Sequence, residues 1–249
     1  MARFRLVRTS RFALILSAAG TTLAASATHG AAQDPAADRR ASVALLDFNV
    51  TALREPEVWA PLGRGIPHIL MTEISANKDL RIVDRERLHA ALEELKLPAT
   101  GAVDQETAAR LGKIVGARYL VYGNITVDQN KKLRLDVHAF KVETTVHEYS
   151  QSLLGKADDV LELVAQLGQK VSKDFDPTPF DAPGARNTGN SGRPTREGLR
   201  VAMLLGNAVD LRDRKDVEGA RVLVRQALSL IPDNPSAMAM LTSLEQAKE

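Results

Sequence analysis

The residues of this chain whose types and placement could do chemistry include Asp47, Asp84 and Asp136, four of its five histidines and one glycine pair. Asp47, Asp84 and Asp136 would make a general acid/base set if the fold brought them together, as a hydrolase using paired carboxylates requires. Asp84, however, stands immediately before a helical stripe and has a capping role there, and Asp136 alternates with apolar residues on the wet side of a strand. His138 and His147 lie on neighbouring predicted strands across a turn and would be cross-strand neighbours. Two imidazoles without a third donor do not make a metal site. His68 and His89 stand alone on predicted helices and read as solvent-facing or packing residues. Gly63-Arg64-Gly65 lacks the third glycine of a phosphate loop and does not follow a strand directly. There is no Gly-x-Ser-x-Gly elbow and no cysteine nucleophile. The expectation is a protein with no catalytic set, no cofactor and no metal. Arg212, Asp213, Arg214, Lys215 and Asp216 mix signs and read as a solvated helix end. Trp59, the single tryptophan, is expected to anchor the helix after it.

The elements that would position these residues are well punctuated. Val43 to Val50 is apolar on both faces, as a central strand covered on both sides should be, with Asp47 interrupting it near a strand end. After Pro61, a helix places Leu62, Ile66, Ile69, Leu70 and Ile74 on one face. Ile82 and Val83 form a short strand, and Asp84 caps a helix with Leu88, Leu92 and Leu95 inward, stopped by Pro98 and Gly101. Asp104 caps the next helix, whose inward face is Ala108, Leu111 and Val115, with Gly116 placed for a left-handed C-cap. Tyr119 to Val121 begins a strand. Leu133, Leu135, Val137 and Ala139 alternate with Arg134, Asp136 and His138, so one face is wet. A turn at Glu143–Thr145 leads to a partner strand at Val146–Leu153, and an amphipathic helix runs over Ala157–Phe175. Seven prolines and glycines make Asp176–Thr195 a linker. Three helical stretches follow, broken at Lys215-Asp216 and Pro232-Asp233. The fold class is α/β, a mixed β-sheet with helices packed on it, followed by a small all-α tail.

Several phrases in order and spacing, namely ASVALLDF, GRGIPHILMTEISANKDL, IVDRERL, ALEEL and LGKIVGARYLVYGNIT, resemble the CsgG-like family of curli-secretion and outer-membrane assembly proteins. The resemblance spans roughly Ser42 to Phe175. It implies a sheet domain like those of CsgG and the amino-terminal part of TolB, acting in outer-membrane assembly. In the tail, Ala208, Leu211, Ala220, Val224, Ala227 and Pro232 match small and apolar positions of a single tetratricopeptide (TPR) repeat, though Asn207 departs from it. By that resemblance Ala202, Leu205, Val209 and Arg212 would face a partner. One repeat cannot bury its own apolar faces, so the module must dock on the sheet domain, pair with a second copy or engage another protein.

Residues 1–32 read as a signal peptide. Arg3, Arg5, Arg8 and Arg11 precede an apolar run from Phe12 to about Ala27, with small-residue cleavage sites at Ala25-Ser26-Ala27 and Gly30-Ala31-Ala32. The run is shorter than the roughly 20 residues that span a bilayer. Residues 33–40 follow as a polar leader. Without those four arginines the formal charge of +2 becomes −2, which excludes a basic nucleic-acid binder. With no cysteine, neither disulfides nor amino-terminal lipidation can occur, a departure from the lipoprotein channels of the family.

Those channels insert membrane-spanning β-hairpins after the strands matching Tyr119–Thr126 and Val146–Leu154. A spanning strand needs about 9 to 11 residues. Here only Val127–Lys132 fills the first gap, and Gly155-Lys156 the second. The sequence therefore reads as an exported, non-enzymatic periplasmic protein that keeps the family's assembly domain without the pore. Its expected partners are other envelope proteins, the outer-membrane surface as a peripheral contact, or copies of itself, and no nucleic acid. The alternatives are a soluble regulator of an envelope machine, such as a peptidoglycan synthase activator or a Tol-like adaptor, a pore-forming secretion subunit, and a hydrolase.

Overall fold

Ala41–Leu45 is buried at all five positions, and so forms a central strand, β1, in the computed structural model, which describes residues 40–98, 105–144, 146–175 and 196–246. The segments read as signal peptide, leader and linker, together with Gly101 and Asp104, lie outside the described residues. The expected single strand from Val43 to Val50 is two. Asn49–Ala52 is a second strand, β2, and both pair in parallel with the same partner, β4 (Tyr119–Val127). Leu45 lies opposite Val121 and Asn49 opposite Asn124, so four steps on one side match three on the other. This extra residue is a bulge. It switches parity: Val43 and Leu45 share an apolar layer with Phe48, Val50 and Ala52.

A four-residue helix, α1 (Pro56–Trp59), buries Trp59 in the same layer and leads to α2 (Leu62–Ser75). The α2 stripe Leu62, Ile66, Ile69, Leu70 and Ile74 is buried as its spacing requires. Strand β3 (Leu80–Ile82) follows. In α3 (Arg85–Glu94), the Asp84 carboxylate accepts the amides of Glu86 and Arg87, satisfying donors no helix turn can reach. This helix stops at Leu95, with Lys96 at φ 54°, before Pro98 is reached. In α4 (Gln105–Val115), Ala108, Leu111 and Val115 face inward, and Gly116 at φ 66° closes the helix.

Strands β5 (Lys132–Lys141) and β6 (Val146–Lys156) complete a six-stranded sheet in the order β3-β1-β4-β5-β6, with β2 extending β1 along β4. Pairings among β1 to β4 are parallel, whereas β4-β5 and β5-β6 are antiparallel. A short 3-10 turn, Ala157–Asp159, precedes α5 (Val160–Phe175). Helices α2 and α5 cover one face of the sheet, with Val160, Val164, Leu167 and Val171 buried. Helices α3 and α4 cover only part of the other, over Ala44, Leu46, Leu120 and Phe140.

The tail forms α6 (Arg196–Asp213), α7 (Val217–Leu230) and α8 (Pro235–Gln246). Of the three ways to bury its apolar faces, the chain uses the first. Val201, Ala202, Leu205, Ala208 and Val209 are fully buried in one core with Leu62, Ile66 and Ile69 of α2. The two helices touch backbone to backbone: a Cβ on Gly65 would overlap the Ala202 carbonyl, and one on Gly206 would overlap that of Pro61.

Candidate interaction site at the seam between sheet and tail

The bulge between β1 and β2 aims Asp47 out of the strand pattern, at the carboxyl end of a parallel strand. There it is buried, with the first turns of α2 and α3 beside it. Arg85, first residue of α3, donates to both Asp47 oxygens at 2.7 and 3.2 Å. The same guanidinium donates through Nε and Nη2 to Asp213, near the end of α6, at 3.2 and 2.7 Å. Arg64 of α2 bridges Asp47 and Asp210, each at 3.3 Å, and Arg214 reaches Asp210 at 2.9 Å. Two planar forks thus hold one buried carboxylate on the sheet and two on the tail, the geometry that arginine suits and lysine does not. Burial works against the charge on Arg85, but its bonds to Asp213 and Asp47 outweigh that and hold it more firmly protonated than usual.

Next to this network lies His68, buried between α2 and the tail. Its Nε2 is 3.2 Å from the Ser236 carbonyl at the start of α8, so the neutral ring donates there. Burial first, and the Arg212 charge second, lower its pKa from 6.5 to about 4. Arg212 is lowered too, by burial and then by the neighbouring Arg85 charge. His68 Nδ1 and one Arg212 nitrogen are buried without a hydrogen-bond partner.

The sequence-predicted residues are scattered. Ala202, Leu205 and Val209 are fully buried against the chain's own α2, and so are not presented to another protein. Arg212 and Asp213 are not the solvated helix end expected of that charge cluster, because the docked tail turns them onto Arg85 and His68. Asp84 caps α3, Asp47 is shared by two arginines, and Asp136 binds Arg134 and Ser152 on the open sheet face. His138 and His147 are not cross-strand neighbours: His138 faces Ser150 and stacks on Tyr122 at 5.3 Å, while His147 is in register with Phe140 beyond a bulge. His89 pairs with Glu93. Among the described residues no three His, Cys, Asp or Glu side chains gather as metal ligands.

Ligands of open α/β sheets sit at the carboxyl ends of the strands. Here that place is taken by β2, the ion pairs and the end of α6. A cleft there, lined by Leu46, Asp47, Arg85, Leu88, His89 and Leu92, holds about 10 Å³, room for one water. The arrangement is chemically a latch. No short-range signal in the sequence announces it, since Arg85 and Asp213 are 128 residues apart.

Residues 22–133 match the model of the family described as the curli production assembly/transport component CsgG. Over that span the chain is similar to the CsgG family. The match begins ahead of β1 and ends at Leu133, and β5, β6 and α5 continue the same layered fold beyond it. Solved structures similar to the chain include the LpoB C-terminal domain from Escherichia coli, at 15% identity and TM-score 0.39 over 47% of this chain and 82% of that one. Lipoprotein GNA1162 from Neisseria meningitidis matches at 10% and 0.40 over 53% and 96%. The PelC dodecamer from Paraburkholderia phytofirmans matches at 14% and 0.33 over 55% and 89%. No match is found among curated proteins.

Proposed function

We propose that this chain is an exported, non-enzymatic periplasmic protein of the cell envelope, in which the CsgG-like domain is an assembly or docking platform and the TPR-like tail braces it. The observation that carries this reading is the compactness of the two places where the family's channels extend hairpins. Only Asp128–Lys131 joins β4 to β5, closed by the Asp128 carboxylate on the amides of Asn130 and Lys132. At the second place, Lys156 leads straight into the turn at Ala157. Neither site holds two strands of about 9 to 11 residues. No helix among the described residues is long and apolar enough to cross a membrane.

With the inner face of α6 spent on α2, the tail offers other envelope proteins the outer surfaces of α7 and α8, where Val222 and Met238 are exposed. Deleting the tail is a poor test, because it would uncover the α2 stripe. Crosslinking with mass spectrometry in the intact envelope is the better one. The reading expects crosslinks from lysines of the sheet domain to other envelope proteins. Detergent-dependent oligomers embedded in the membrane, or a chain confined to the cytosol, would refute it.

A further inference from the structure

The strand register assembles a second surface, on the part of the sheet that α3 and α4 leave open. Asn49 and Thr51 of β2, Asn124 and Thr126 of β4, Lys132 and Arg134 of β5, and Ser152, Leu154 and Lys156 of β6 share this face and are exposed. The two most exposed large apolar residues among the described ones, Leu53 at 71% and Leu154 at 70%, lie at one end of it. The Leu53 amide bonds to the Val127 carbonyl, which continues the β2 register one row further. The two leucines are thus three strand spacings apart across the sheet and two residues apart along it, about 16 Å.

Between them the charges are arranged against the stability of the sheet. Lys132 stands directly opposite Lys156, a like-charge pair that weakens strand pairing. The neighbouring acids have other hydrogen-bond partners. Asp128 is turned into the hairpin amides, and Asp136 is held by Arg134 and Ser152. Asp158 and Asp159 sit on the turn that contacts α6 beneath the opposite face. Two opposed lysines, accompanied by exposed leucines on the same face, complement a plane that is anionic outside and apolar just within.

We infer that this end of the sheet is a peripheral docking surface for an anionic lipid bilayer, with Lys132 and Lys156 on headgroup phosphates and Leu53 and Leu154 entering the interface. The inference rests on the envelope location proposed above. Its failure would leave that location, which crosslinking reads, untouched.

The test is hydroxyl-radical footprinting of the full chain with vesicles of phosphatidylglycerol and phosphatidylcholine in equal parts, against vesicles of phosphatidylcholine alone. Leu53 and Leu154 should be protected severalfold by the anionic vesicles only, and the protection should fade in about 0.5 M salt. The double variant Lys132→Gln/Lys156→Gln should abolish most of the protection while its thermal midpoint does not fall, since it removes a repulsion. Unchanged labelling on anionic vesicles, or equal protection on neutral ones, would overturn the inference. So would protection that grows with protein concentration in the absence of lipid, which would make the face an interface between copies.

Discussion

Acidification from about pH 7.5 to about pH 5 should destabilise the fold by about 2 kcal/mol through His68 alone. The ring titrates near its ordinary 6.5 when the chain is unfolded and at about 4 when buried beside Arg212 and Arg85. Above the unfolded value the imidazole is neutral in both states and contributes no pH dependence. Between the two values the unfolded chain takes up a proton that the folded chain refuses, so stability falls as pH falls, by about 1.4 kcal/mol per unit. At pH 5 roughly one and a half such units have been crossed. Against a typical total of about 5 to 15 kcal/mol, that is a large fraction. The comparison is urea unfolding of the wild type and of His68→Gln, whose amide nitrogen reaches towards the Ser236 carbonyl but does not titrate. Carboxylate effects are common to both and cancel in the double difference. The wild type should lose about 2 kcal/mol more than the variant between the two pH values. Equal losses, at an unchanged denaturant slope, would refute the account of a neutral histidine sealed under the tail.

Three further outcomes test the seam and its supports. Gly206→Ala would gain up to about 1 kcal/mol in an exposed helix, but here the new Cβ overlaps the Pro61 carbonyl, so the net effect should be a loss of about 1 to 3 kcal/mol; a thermal midpoint that stays or rises would contradict the close contact. Asp47→Asn should destabilise by about 3 kcal/mol because two arginines lose their shared anion, and adding Arg85→Met should recover part of it. A double-mutant cycle for that pair with no coupling would dissolve the latch. Asp84→Ala should cost about 1 kcal/mol in chemical denaturation through the lost cap, with the sheet-to-tail contacts intact.

Features set by near neighbours were legible in the sequence, and features set by distant ones were not. The Asp84 cap, the α2 stripe, the alternation of β5 and the breaks at Lys215-Asp216 and Pro232-Asp233 follow from periods and capping residues within a few positions. The bulge at Asp47 was hidden, because an apolar run on both faces carries no parity to reveal one extra residue. The burial of the charge cluster at the end of α6 is hidden for a related reason. Mixed signs look the same in sequence whether they face water or a buried guanidinium, and only docking of the tail decides between them. Ala202, Leu205 and Val209, expected to face a partner, instead meet a helix of the same chain.

That self-docking has a competitive side. The tail is tethered to the sheet domain by residues 176–195, which at full extension reach roughly 65 Å. A segment so leashed meets its site at an effective concentration on the order of millimolar. Any foreign helix seeking the α2 groove therefore faces a resident rival that dilution cannot remove, and must outbind it by a wide margin to displace it.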